Sequence, residues 1–182
     1  MDGIMLRDLV EGVDDASLRR GVPLLIVKAP SGIEQAPTPL DTPGDGLPLD
    51  STAYASHVHA RGYIAPGAVV VPIMKTGRSK FTSAITVGRS NRSDIILMDQ
   101  HVSQLHGWFI EPGPGGGPWR YRDNSSTNGS FVNRRQLPIG AAANLVAADE
   151  VRFATVDSIF IEAGMLTEIV DYARETWRRL GI

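Results

Sequence analysis

The chain has 182 residues, 42% of them hydrophobic, enough for one core-bearing domain with an appendage. Its 18 lysines and arginines nearly balance 20 aspartates and glutamates, and the formal net charge of −2 at pH 7 gives no basis for broad electrostatic binding to nucleic acid or membrane. It contains no cysteine, which excludes disulfides, thiolate metal sites and cysteine nucleophiles.

In chain order, the opening "MDGIMLRDLVEGVDD" is acidic and interrupted, unlike the basic and then apolar start of a secretory signal, so a cytoplasmic protein is expected. Residues 1–28 read as one or two short helices stopped at Gly21, followed by an apolar strand from Val22 to Val27. That run is too apolar to stay in water, so the segment is expected to pack on the main domain. Residues 29–62 read as a linker, since Pro30, Pro37, Pro39, Pro43 and Pro48 alternate with Gly32, Gly44 and Gly46. Within it, "SHVHA" sets His57 and His59 at strand-like spacing, but no third ligand accompanies them and no metal site is expected.

From residue 63 to 165 the character changes. "AVVVPIM", "SAITVGR", "DIILMD", "QLHGWFI", "PWRYRD", "GSFVN", "EVRFAT" and "SIFIEA" are short β-prone runs, separated by turn signals at intervals of about ten residues, which argues for an all-β sandwich or barrel. Residues 166–182 read as an amphipathic helix, with Leu166, Ile169, Val170, Ala173, Trp177 and Leu180 on one face. Such a stripe either packs on the sandwich or docks a partner. No run of about 18 apolar residues exists to span a bilayer.

Catalytic signals are weak. "PGPGGGP" lacks the Lys-Ser/Thr pair of a phosphate loop. Ser103 and His106 suggest nucleophile and base, yet residues three apart on a strand face opposite ways. Anion recognition has better support. Three turn-like stretches, "GRSNRS" (88–93), "DQHVSQLH" (99–106) and "DNSSTNGS" (123–130), carry the cation, hydroxyl and amide donors that a phosphate needs.

Together, Gly88-Arg89, Ser103-Gln104-Leu105-His106 and Ser126-Thr127-Asn128-Gly129, followed by "FVN" and "DEVRFA", resemble the forkhead-associated (FHA) domain over about residues 65–163. That resemblance implies a sandwich of about eleven strands with its recognition loops at one end, here flanked by short N-terminal helices and a C-terminal amphipathic helix. It implies a non-catalytic reader of phosphothreonine on a partner protein or peptide, in the setting of a Ser/Thr kinase or its substrate. Neither a cofactor nor a metal belongs to that function. Arg89 then takes the place of the phosphate-binding arginine and Ser103 that of a hydroxyl donor. Gln104 sits where the family often has a cation, and Thr127 where a hydroxyl or main-chain group reaches the phosphate. Asn128 takes the place of the asparagine that holds the peptide main chain, and His101 offers a side chain to the third residue after the phosphothreonine. Gly88, His106 and Gly129 fall at positions that support the loops.

Two other readings stand beside this one. An FHA-shaped scaffold that has lost phosphate binding is favoured by the neutral Gln104, and an enzyme with its site in the first 60 residues is the third. Finally, "TPLD" and "TPGD" each place an acid three residues after a threonine, which makes phosphorylated Thr38 and Thr42 candidate ligands of the same chain or of a second copy.

Overall fold

The computed structural model describes residues 3–13, 18, 21–28, 51–60 and 62–182. Its elements run β1 (Ile4–Met5), α1 (Leu6–Val10), β2 (Leu24–Val27), α2 (Ser51–Ala60), β3 (Val69–Pro72), β4 (Ile85–Gly88), β5 (Ile95–Ile96) and β6 (Gly107–Ile110). They continue with β7 (Trp119–Asp123), β8 (Ser130–Val132), β9 (Arg135–Gln136), β10 (Ala142–Leu145), β11 (Glu150–Phe153), β12 (Val156–Ile161), a 3-10 turn (Ala163–Met165) and α3 (Leu166–Leu180). One sheet has the order β1-β3-β2-β12-β11-β8-β9, the other β10-β7-β6-β4-β5. Every neighbouring pair is antiparallel except β4–β5.

Period-two alternation sets the inner faces. In β7, Tyr121 and Asp123 are buried while Arg120 and Arg122 face solvent, and in β11 Val151 and Phe153 turn inward. Phe109, Tyr121, Phe153 and Phe160 fill the space between the sheets with Leu25 and Val87. Each such side chain contributes about 1.5–3 kcal/mol on leaving water.

The apolar run of β2 has no alternation because both of its faces are covered. Leu25 and Val27 point into the space between the sheets, whereas Leu24 and Ile26 join Val70, Ile159 and Ile161 beneath a helical layer. That layer consists of α1, α2 and α3, packed through Leu6, Val58, Ile169, Ala173 and Trp177. Hence the stripe on α3 packs on the sandwich; Leu180 lies beyond the contact and is exposed. The helix stops at Gly181, whose φ of +72° suits the left-handed C-terminal position, with Arg178 and Arg179 in the last turn.

Twelve strands are present among the described residues, in keeping with the expected sandwich of about eleven. Two expectations change. Part of the expected 29–62 linker is helical: α2 spans Ser51–Ala60 and buries Ala55 and Val58. His57 and His59 therefore lie on a helix rather than at strand spacing, and His59 meets the ring of Tyr172 on α3 at 5.5 Å. Thr38 and Thr42 lie outside the described residues. Among the described residues, no helix is long and apolar enough to cross a membrane, and no cluster of three or more metal-ligating side chains occurs.

The connection leaving β4 is anchored by a buried carboxylate. Asp94 accepts bonds from Lys75 Nζ (2.7 Å), from the Thr76 N–H (3.0 Å) and from both the N–H and the hydroxyl of Thr86 (2.9 Å each). Burial alone would raise its pKa, but Lys75 and the Thr76 and Thr86 donors outweigh burial and hold it at about 2. The loop leaving β4 is thus tied to the strand that precedes it.

Candidate functional site

The connections β4–β5, β5–β6 and β7–β8 meet at one place, joined by hydrogen bonds rather than by apolar packing. Arg89 N–H donates to the Ser103 carbonyl at 3.0 Å, and Ser90 N–H donates to that of Gln104 at 3.2 Å. Gly88 is required here for space. A Cβ at that position would collide with the Gln104 carbonyl, so the close approach of the two loops excludes every other residue. The Arg89 side chain is exposed and has no hydrogen bond or ion pair among the described residues.

The β5–β6 and β7–β8 loops meet through Ser103 and Thr127. Thr127 N–H donates to Ser103 Oγ at 3.1 Å, and the two hydroxyl oxygens lie 3.5 Å apart. Ser103 Oγ thus accepts from the Thr127 main chain and donates over the longer distance to the Thr127 hydroxyl. Asn128 Nδ2 donates to the His101 carbonyl at 2.8 Å. His101 is itself held by Asp99, whose Oδ1 accepts from the His101 N–H at 2.7 Å and lies 3.1 Å from Nδ1. The His101 N–H lowers the Asp99 pKa against a smaller opposing effect of burial.

His106 sits beneath all of this with no exposure. Its Nδ1 accepts the Ser103 N–H at 3.1 Å, and Nε2 lies 3.2 Å from the Gly129 carbonyl, which fixes the neutral, Nε2-protonated imidazole. One ring thus pins two loops. Burial pushes its pKa below the ordinary 6.5, opposed by Asp123, 3.8 Å away, and by the Gly129 carbonyl. Ser103 and His106 do not form a nucleophile–base pair. The serine presents its main-chain N–H to the ring, and its hydroxyl faces Thr127.

A pH dependence follows from the linkage. Below pH 6.5 the unfolded imidazole takes up a proton that the folded one resists, so stability falls as pH drops through 6.5 toward the folded value. His106→Ala is expected to lower stability by about 1–3 kcal/mol and to flatten this slope, because a bond acceptor and a donor are lost in a buried place. Thermal melts of both proteins between about pH 5 and 8 check it. A variant with unchanged melting at every pH would deny the histidine its supporting role.

Gln104 enters the loop framework through its main chain. Its main-chain carbonyl accepts from Ser90 N–H and from Ser93 Oγ (3.3 Å), while its side chain is exposed without a partner among the described residues. Gly129, at φ +74°, turns the chain into β8.

The most connected group in the site has no counterpart in the sequence reading. Asp123, at the end of β7, accepts Ser126 N–H (2.8 Å), Ser126 Oγ (2.6 Å) and Ser130 Oγ (2.5 Å). Tyr121 Oη lies 2.9 Å from Ser130 Oγ and, with that hydroxyl already donating to Asp123, acts as its donor. Burial opposes ionisation of Asp123, but the Ser126 and Ser130 bonds prevail and its pKa is lowered; burial drives that of Tyr121 sharply upward. The Asp-x-x-Ser spacing of 123–126, which closes an Asx turn, is the signal that marks it. Ser125 within the turn has φ +54°, the left-handed region a non-glycine residue seldom adopts.

A family model described as FHA domain matches residues 85–154. The chain is 32% identical over 139 residues to the ABC transporter ATP-binding/permease protein Rv1747 of Mycobacterium tuberculosis, a match covering 73% of this chain and only 14% of that protein's length. Among solved structures, it is similar to the FHA domain of the CT664 protein from Chlamydia trachomatis, with 17% identity, 77% of this chain and 96% of that chain covered, and a TM-score of 0.47. It is also similar to Mycobacterium tuberculosis EmbR in complex with a low affinity phosphopeptide, with 25% identity, 44% and 20% of the two chains covered, and a TM-score of 0.39.

Proposed function

Because this chain carries an FHA domain at residues 85–154, we propose that it is a non-catalytic, cytoplasmic module that binds phosphothreonine on a partner protein, a Ser/Thr kinase or a kinase substrate. The functional unit is residues 63–165, extended by residues 1–28 and by the helix over 166–182. The observation that carries the reading is the meeting of an unpaired guanidinium with a donor-rich loop pair. Among the described residues Arg89 has no carboxylate to neutralise it, and the Ser103 and Thr127 hydroxyls, joined only by a 3.5 Å contact, can turn a proton to an incoming anion. A dianionic phosphate satisfies both at once.

In this reading Arg89 clamps two phosphate oxygens, Ser103 and Thr127 donate to the others, and the side-chain amide of Gln104 adds a neutral donor. Asn128 holds the peptide main chain, His101 faces the residues that follow the phosphothreonine, and Gly88, His106 and Gly129 support the loops. Discrimination of threonine from serine rests on the γ-methyl group and amounts to about 1–3 kcal/mol.

The test is calorimetric titration of the full chain with peptides carrying phosphothreonine, phosphoserine or unmodified threonine, among them peptides spanning residues 34–47 phosphorylated at Thr38 or Thr42. Micromolar affinity for a phosphothreonine peptide, with weaker phosphoserine binding, is the expected result. No binding by any phosphopeptide at high micromolar concentration would favour the scaffold that has lost phosphate recognition, for which the uncharged Gln104 speaks.

A further inference from the structure

The five-stranded sheet ends in β10, and that edge differs from every other edge in the fold. The remaining edge strands, β1, β9 and β5, have two residues each, whereas β10 has four. Ala142 to Leu145 pair with β7 on one side only, in the register Ala142↔Arg122 and Asn144↔Arg120. Among the described residues, their main chain makes no hydrogen bond outside that ladder. In an antiparallel ladder alternate residues direct N–H and C=O away from the partner, so β10 presents unpaired groups to solvent. Short edges, charges, prolines and bulges ordinarily blunt such a strand, and "AANL" has none of them.

Two further observations concern what surrounds this edge. Ile139, three residues before it, and Val146, directly after it, are 82% and 62% exposed, so apolar side chains flank the open strand in sequence. On the outer face, Arg122 and Arg120 stand directly beside Ala142 and Asn144, both exposed and neither with a carboxylate partner among the described residues. Arg122 lies over the Trp108 ring at 5.8 Å, and Phe81 stacks with the same indole at 6.3 Å. Strands lie about 4.8 Å apart, so an arginine of β7 can reach across alanine to a side chain on a strand added beyond β10.

We propose that β10 is a docking edge for an extended, acidic segment of a partner protein, which adds as a further strand and sets its carboxylates against Arg120 and Arg122. Main-chain bonds supply affinity, the arginine row supplies selectivity for acids, and Ile139 and Val146 cover the ends. Strands β7 and β6 separate β10 from β4, which carries Gly88, so this edge is distinct from the loops described above and does not depend on phosphate binding.

The probe is a capped, unphosphorylated peptide of alternating valine and glutamate, about ten residues long, titrated into the 15N-labelled full chain. Amide resonances of residues 139–146 are expected to shift and to become protected from hydrogen exchange. The double variant Arg120→Glu, Arg122→Glu is expected to weaken binding about tenfold or more. Ile139→Ser, at a side chain almost wholly in solvent, provides a second variant that leaves the fold intact, and weaker binding is expected there too. Any of three results would overturn the proposal. One is no shift at residues 139–146 at millimolar peptide, and another is equal binding of the lysine-for-glutamate peptide. The third is a different occupant, shown by self-association of the chain through β10 or by tighter binding of a thymidine oligonucleotide at the same resonances.

Discussion

Arg89→Ala is expected to remove about 2–5 kcal/mol of phosphothreonine-peptide affinity and to leave the melting temperature nearly unchanged. The side chain is exposed and unpaired among the described residues, so its removal breaks nothing in the fold. What it takes away is a planar, permanently charged fork able to bond two phosphate oxygens together. Arg89→Lys is expected to fail substantially as well, because an ammonium is a point charge without that geometry. Parallel calorimetry and thermal melts check both variants. Wild-type affinity in the alanine variant would remove Arg89 from the site.

Asp123→Ala is expected to act through the fold instead, costing about 3–5 kcal/mol of stability, the range for removing one partner from a buried charged network. The carboxylate is 5% exposed and accepts three hydrogen bonds from Ser126 and Ser130. Without it the Ser126 N–H and hydroxyl lose their acceptor, and the Tyr121–Ser130 pair must reorganise beside the aromatic core. The loop carrying Thr127 and Asn128 then loses its brace, so peptide binding falls together with stability. Asp123→Asn keeps the shape but loses the charge, and an intermediate loss is expected because hydrogen bonds to a charged acceptor are the stronger kind. The lowered pKa of Asp123 gives the pH sign. Its contribution is present above the unfolded aspartate value of 3.8 and is lost as pH falls through the lower folded value. Urea denaturation near neutral pH and again in acid measures both effects. An alanine variant as stable as the parent would show that the serines find other acceptors at no cost.

Residue pattern alone carried a good part of this molecule. Alternation in "PWRYRD" and "EVRFAT" marked which side chains turn inward, since a pleated strand imposes period two whatever it pairs with. The α3 stripe was legible for the same local reason, its period being that of the helix itself. Gly88-Arg89, Ser103 and Thr127-Asn128 stood out by type and order, although three loops scattered along the chain carry no local sign that they meet.

Helix α2 escaped because Ser51–Ala60 adjoins a stretch of proline and glycine and carries little amphipathic pattern. Ala55 and Val58, buried among the described residues, acquire meaning only against α3 and β2. Asp123 escaped because an aspartate before two serines reads as a turn, and turn chemistry is the same whether the carboxylate ends in water or under a buried histidine. The position of β2 was equally hidden: an unbroken apolar run says that both faces are covered, but not that Val27 pairs with Ser158 on one side and Val69 on the other. Local sequence therefore determined which faces were apolar and which loops bore cation, hydroxyl and amide donors, because periodicity and residue type act within a few residues. Tertiary structure alone decided which strands became neighbours, which carboxylate was buried and which edge stayed open, because those depend on contacts between segments far apart in the chain.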